Sequence, residues 1–107
     1  KILVLDEPTE GIQPSIIKDI GRAIRYLRDT TGMAILLVEQ KLAIALAVSQ
    51  RALVMGQGRV VFDGPAAETI RAHADELLAM GVWLPAATLA ALRLRDRGIV
   101  LDPLPLT

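Results

Sequence analysis

Cysteine is absent from all 107 residues. That excludes a disulfide framework and a thiolate metal site, and it fits a reducing, cytosolic setting. Aromatic side chains make up only 3% of the chain, too few to interleave with cations as a nucleic-acid surface does. No charge of one sign dominates. Twelve basic and twelve acidic side chains cancel, so no global field draws the chain to a polyanion, and no nucleic-acid partner is expected. Apolar runs stay far short of the ~20 residues that cross a bilayer, and no signal peptide is visible. The single histidine, His73, has no companions at ligand spacing, which argues against a histidine metal centre and predicts a surface residue. A Gly-x-x-x-x-Gly-Lys-Ser/Thr stretch, the backbone cradle for nucleotide phosphates, occurs nowhere.

What remains is aliphatic. Hydrophobic residues make up 52% of the chain, chiefly Ile, Leu, Val and Ala, which suits small helices packed on parallel strands. A chain this short buries one modest core. Ile2-Leu3-Val4-Leu5 is a continuous apolar run that ends in Asp6-Glu7 and then Pro8-Thr9. An apolar run bounded this way predicts a buried parallel strand, and open α/β sheets bind ligands at the carboxyl ends of such strands. Side chains alternate along a strand, so Asp6 and Glu7 face different ways. One acid can hold a magnesium ion while its neighbour addresses a water molecule, the division that phosphate-ester hydrolysis requires. The alternative is two acids exposed at a strand end.

Ile16, Ile20, Ile24 and Leu27 recur at helical spacing after Pro14-Ser15, and Thr31-Gly32 gives a C-cap signal. Lys18, Arg22, Arg25 and Arg28 form a basic stripe on the other side, expected to be solvated. Met33 to Val38 reads as a second strand, completing a right-handed βαβ unit. Leu42 to Val48 reads as a short helix. Arg51 to Met55 and Arg59 to Asp63, joined by Gly56-Gln57-Gly58, read as a β-hairpin. Helices follow from Ala66 to about Met80 and from about Ala86 to Arg97, before a proline-punctuated tail. Trp83 is expected to pack beneath the last two helices, and Met33, Met55 and Met80 to fill core gaps.

Ile2 to Thr9 resembles the Walker B segment of ATP-binding-cassette (ABC) transporter ATPases. Glu10-Gly11-Ile12-Gln13-Pro14-Ser15 is similar to the D-loop of the urea and branched-chain amino-acid importer ATPases, and Ala34 to Gln40 extends the likeness over about residues 1–64. The fold implied is α/β: a partial P-loop NTPase core with a βαβ unit and a hairpin, followed by a small helical C-terminal extension. Gly81-Val82-Trp83-Leu84-Pro85, Leu89 to Arg95 and Pro103 to Thr107 are similar to the helical extension of energy-coupling-factor vitamin and cobalt importer ATPases, which helps two ATPase subunits associate. The domains expected are therefore 1–64, the C-terminal part of a nucleotide-binding domain, and 65–107, the extension, with any join between Gly64 and Leu78. Opening on a strand without an initiator methionine gives the expectation of a fragment or an interrupted gene.

The resemblance implies ATP and Mg²⁺ as cofactors. Asp6 would hold the nucleotide's Mg²⁺ through water, and Glu7 would polarise the attacking water. Gly11, Ile12 and Gln13 would lie across an interface with a second ABC ATPase subunit; the alternative is an ordinary strand-to-helix loop. Gln40 stands where most members carry a switch histidine. Glutamine donates a hydrogen bond to phosphate but carries no positive charge. Transmembrane permease subunits are the other implied partners, with a cytoplasmic position at the inner face of the plasma membrane. The Leu-Ser-Gly-Gly-Gln signature and the glutamine loop are absent, so the chain alone is expected to be inactive. Self-association is expected from its open strand edges. The competing expectation is a dimerisation or regulatory fragment that binds intact ATPase subunits. A superfamily ATPase acting on DNA or ribosomes is disfavoured by the neutral charge.

Overall fold

The computed structural model describes residues 1–107, which divide into two compact units, Lys1–Val48 and Ser49–Thr107. In the first, β1 (Ile2–Asp6) and β2 (Ala34–Val38) pair in parallel, with Ile2 opposite Ala34 and Asp6 opposite Val38. The crossover between them is α1 (Pro14–Thr31), long enough to return the chain to the starting edge of the strand pair. Pro14 sits at the helix start, where its missing N–H costs nothing. At the other end Gly32 adopts φ 64° and donates its N–H to the Arg28 carbonyl, a conformation that a Cβ would penalise.

The buried face of α1 is the expected one except at its start, with Ile24 buried and Ile20 and Leu27 half-buried. Gly21 and Ile24 are buried, while Ile16 is exposed and Ile17 half-buried. Gly21 joins that face. Val48 and Ile44 of α2 (Leu42–Val48) lie 3.8 and 4.0 Å from where a Gly21 Cβ would stand. The two helices therefore close on the glycine. The basic stripe also has more than solvent for company. Arg28 donates to the Val48 carbonyl at 2.9 Å and Arg25 to the Ala47 carbonyl at 3.4 Å, satisfying the last carbonyls of α2.

In the second unit, β3 (Arg51–Gly56) and β4 (Arg59–Pro65) form an antiparallel hairpin. Its two-residue turn, Gln57-Gly58, has positive φ at both positions, 51° and 76°, matching the right-handed strand twist. A register shift follows Val54. The single helix expected from Ala66 to Met80 is instead two, α3 (Ala66–Ala72) and α4 (Ala74–Ala79), broken at His73 with φ −120° and ψ 23°. His73 is not simply at the surface. Its ring stacks on Phe62 with centroids 3.8 Å apart, and Nδ1 lies 2.7 Å from Glu76 Oε2. The helix α5 (Ala86–Asp96) completes the set.

Ile70, Leu77, Leu84, Ala91, Leu92 and Leu106 are buried in this unit. The tail is tied down by hydrogen bonds from Thr88 Oγ1 to the Pro105 carbonyl (2.7 Å) and from Arg71 Nε to the Leu104 carbonyl (2.8 Å). Trp83 contradicts its expected place, being 75% exposed. Met55 and Met80 are exposed too, and Met33 only half-buried, so they are not core filler. These misassignments share a cause. Apolar identity predicts a preference for burial, but a domain with few elements runs out of interior.

Candidate functional site

The first unit gathers four of its carboxylates, Asp6, Glu7, Glu10 and Glu39, at one end of the parallel pair. Asp6 is the last residue of β1 and is exposed, on the same face as Ile2 and Val4. Glu7 extends the pairing by one bond, its N–H donating to the Val38 carbonyl at 2.7 Å, and then turns the chain with φ 46°. A non-glycine residue at positive φ is uncommon and strained, and such residues cluster at functional sites. Here the strain follows directly from ending a strand and starting a turn within one residue. The Glu7 carbonyl accepts the Glu10 N–H (3.1 Å), and the Thr9 carbonyl accepts the Ile12 N–H (3.2 Å). Gly11 takes φ 71°, Ile12 is half-buried, and Gln13 caps α1 through its carbonyl, which accepts the Ile16 and Ile17 N–H groups.

The end of β2 meets this turn. Glu39 is half-buried beyond Val38. Its Oε2 accepts the Thr9 hydroxyl at 2.7 Å, and its Oε1 accepts the Gln40 and Lys41 N–H groups at 3.1 and 3.4 Å. Lys41 closes the circuit by donating from Nζ to the Thr9 carbonyl at 3.3 Å. Thr9 is fully buried, and these bonds satisfy both its hydroxyl and its carbonyl. Gln40 itself is exposed.

The rim is mainly acidic, with Asp6, Glu7, Glu10 and Glu39 set against Lys41. Glu10 beside it does most to raise the proton affinity of Glu7, helped by partial desolvation, a hydrogen bond between the two carboxyls, and the charges of Asp6 and Glu39. A carboxylate pushed upward in this way is a better proton acceptor than a free one. Asp6 offers hard oxygen donors open to solvent, the donor type that suits a hydrated divalent cation of the Mg²⁺ kind.

The structure thus brings Asp6, Glu7 and Gln40 to the carboxyl ends of adjacent strands, with Gly11, Ile12 and Gln13 on the loop that leaves that rim. Thr9, Glu39 and Lys41 were missed in the sequence. The available signal was a hydroxyl directly after a proline, paired with an acid directly after the second apolar strand.

No protein-family model matches the chain. Individual relatives do. The chain is 35% identical over 98 residues to the energy-coupling factor transporter ATP-binding protein EcfA2 of Clostridium perfringens, covering 92% of the chain and 34% of that protein. It is 33% identical over all 107 residues to EcfA2 of Caldanaerobacter subterraneus, of which this stretch is 37%. With a probable branched-chain amino acid transport ATP-binding protein, LivF of Archaeoglobus fulgidus, it shares 41% identity over 81 residues, 76% of the chain and 34% of the relative. Among solved structures, cbiO1 from Clostridium perfringens, part of the ABC transporter complex cbiONQ, superposes with a TM-score of 0.62 at 26% identity, over 92% of this chain and 35% of that one. The chain spans about a third of the length of the curated relatives it matches. One of them aligns from the first residue to the last, so both compact units have counterparts in a single relative. The α/β architecture and the aligned sequences agree: over a stretch equal to about a third of their length, this chain belongs to the ABC transporter ATP-binding proteins.

Proposed function

We propose that the chain supplies one rim of a Mg²⁺–ATP hydrolysis site in an ABC importer, coupling hydrolysis to solute uptake of the urea or branched-chain amino-acid kind. What supports this reading is the position of Asp6 and Glu7 at the end of β1, with Gln40 following the adjacent β2. Asp6 would hold Mg²⁺ through water. Bound with the triphosphate, the ion supplies positive charge to the phosphoryl oxygens. Glu7 orients the attacking water and accepts its proton, a role that its raised proton affinity favours. Gln40 donates a hydrogen bond toward the terminal phosphate, and Gly11, Ile12 and Gln13 face a second ATPase subunit.

In this reading residues 1–64 belong to the nucleotide-binding domain and 65–107 to the helical extension. Permease subunits in the membrane are the remaining partners, and the chain sits at the membrane's cytoplasmic face. No helix of the chain is long and apolar enough to cross a membrane.

The residues fit the metal-and-water flank of such a site, and none of them replaces a phosphate-cradling loop. A lone carboxylate holds Mg²⁺ weakly, because the ion relies on phosphate oxygens, and no phosphate-cradling loop occurs in the sequence. The 107-residue chain is therefore expected to show no Mg²⁺-dependent micromolar binding in a fluorescent-nucleotide titration; finding such binding would overturn its inactivity in isolation. Mixing it with a polypeptide that supplies the phosphate loop of a relative is expected to produce ATP hydrolysis that Glu7→Gln lowers by about 10²–10⁴-fold.

One observation favours a second reading, a non-catalytic fragment that docks on intact ATPase subunits. Ile2, Val4, Leu36 and Val38 leave one face of the strand pair exposed, an apolar surface suited to association. Capture by an intact cassette subunit with no hydrolysis dependent on Glu7 would select it.

A further inference from the structure

The hydrogen bonds at the rim join two loops that the sequence separates by 30 residues. The turn after β1 carries Glu7 at one end and Gly11 to Gln13 at the other, with Thr9 between them. The segment after β2 carries Gln40, whose own N–H and that of Lys41 donate to Glu39 Oε1. We propose that Thr9 and Glu39 form a positioning clasp that fixes the backbone of Gln40 to the turn. Displacement of the Gly11–Gln13 loop by a partner is thereby passed to the phosphate-facing glutamine. The catalytic part of this inference rests on the functional reading above; the clasp itself does not.

Each link is individually specified. Thr9 is fully buried, so its hydroxyl has no water to turn to. Its one strong acceptor is Glu39 Oε2, at 2.7 Å. A neutral donor meeting a charged acceptor at that distance makes one of the stronger kinds of hydrogen bond. The other carboxylate oxygen then accepts the N–H groups of Gln40 and Lys41. Glu39 is thus shared between a buried side chain of one loop and the backbone of the other. Its orientation depends on Thr9, and the orientation of Gln40 depends on Glu39. Lys41 returns from the second loop to the Thr9 carbonyl, so the two loops are joined in both directions. The same Thr9 carbonyl accepts the Ile12 N–H at 3.2 Å, which links the clasp to the middle of the proposed interface loop. No group in this circuit needs to contact nucleotide, so these are positioning residues.

The clasp is tested in the full chain by amide hydrogen exchange. Thr9→Val keeps the shape and removes only the hydroxyl, and it is expected to accelerate exchange at Gln40 and Lys41 roughly tenfold, the factor for one lost hydrogen bond of ordinary net strength. Amides of α1 and of the second unit should not change. Thr9→Ser should restore protection, and Glu39→Ala should reproduce the loss. Unchanged exchange at Gln40 and Lys41 in both Thr9→Val and Glu39→Ala would overturn the clasp. A uniform acceleration across Lys1–Val48 in Thr9→Val would do so as well, since it marks a general packing role.

In the hydrolysing mixture described above, Thr9→Val is expected to lower kcat several-fold at unchanged KM, with recovery in Thr9→Ser. A wild-type mixture that hydrolyses no ATP counts against the functional reading alone, and the exchange result still decides the clasp.

Discussion

Lys1–Val48 and Ser49–Thr107 are of similar length but differ in the core they enclose, three buried apolar residues in the first and eight in the second. In the second, Ile70, Leu77, Ala91 and Leu92 are almost wholly enclosed. In the first, strand residues are left out, as Leu53, Val60 and Val61 are in the hairpin of the second. Ile2 is 66% and Val4 58% exposed, although both sit in a run that reads as buried. That unit also carries every residue of the candidate site. A two-stranded parallel pair covered on one face by a helix has a second face with nothing of its own to cover it, whereas parallel sheets are found buried on both sides. The comparison teaches that the chemistry-bearing half is the one with the smaller core. A site at the rim of such a sheet is held by local hydrogen bonds more than by a surrounding core.

The sharpest way to break this contrast is to remove the same kind of side chain from each half. Leu77→Ala is expected to cost roughly 2–5 kcal/mol in urea unfolding, since Leu77 is 1% exposed and its cavity cannot fill. Val4→Ala should change stability by less than about 0.5 kcal/mol. Comparable losses at the two positions would mean that the sheet face is covered in solution, and self-association measured by sedimentation would then have to accompany it.

Thr88 tests how firmly the tail belongs to the second unit. Its hydroxyl is fully buried and donates to the Pro105 carbonyl. Thr88→Val should cost about 1–3 kcal/mol and should expose residues 98–107 to limited proteolysis. A tail that stays protected would argue that Leu106 burial alone holds it.

Glu7 sharpens the comparison from the other side, because its backbone is strained where the candidate chemistry sits. Glu7→Gly should leave melting stability unchanged or raise it by up to about 1 kcal/mol, while abolishing hydrolysis in the reconstituted mixture. A clear loss of stability would show that the Glu7 side chain supports the fold.

The smallest expected effect concerns acid. Glu10 and the other rim carboxylates raise the pKa of Glu7 in the folded chain. The folded state therefore binds that proton more tightly than the unfolded one. The stability this contributes is fully present below the ordinary glutamate value and is lost as pH rises through the raised one. Asp63 and Asp75 behave oppositely. Hydrogen bonds from Arg51 and Arg95 lower their pKa values, so their contributions hold above the ordinary aspartate value and fade as pH falls through the lowered one. Asp63 and Asp75 are exposed and Glu7 is only half-buried, so the effects are screened and slight. Carboxyl-detected NMR titration should place the Glu7 midpoint above those of both aspartates, and Glu10→Gln should bring it down. A Glu7 midpoint indifferent to Glu10→Gln would remove the electrostatic coupling.

Much of this molecule was legible from residues alone, and the reasons are local. A four-residue aliphatic run ending in two acids and a proline admits few conformations besides a strand followed by a turn. Pro14 and Gly32 bracket α1 because one lacks an N–H and the other lacks a Cβ. Gln57-Gly58 closes a hairpin because both residues must take positive φ. The acid pair at the rim follows from the same strand, since a parallel pair sends both of its carboxyl ends the same way. What stayed illegible depended on partners distant in sequence. The break at His73 coincides with a ring stacked on Phe62, the partnering of Arg25 and Arg28 depended on where α2 ends, and the exposure of Trp83 on how little interior remained. The Thr9–Glu39 clasp belongs with these. Local chain geometry determined the strands, the turns and the position of Asp6 and Glu7. Only the folding of β1 against β2 decided that a buried hydroxyl and a carboxylate thirty residues apart would share one hydrogen bond, because such a pairing depends on distance in space, about which spacing along the chain is silent.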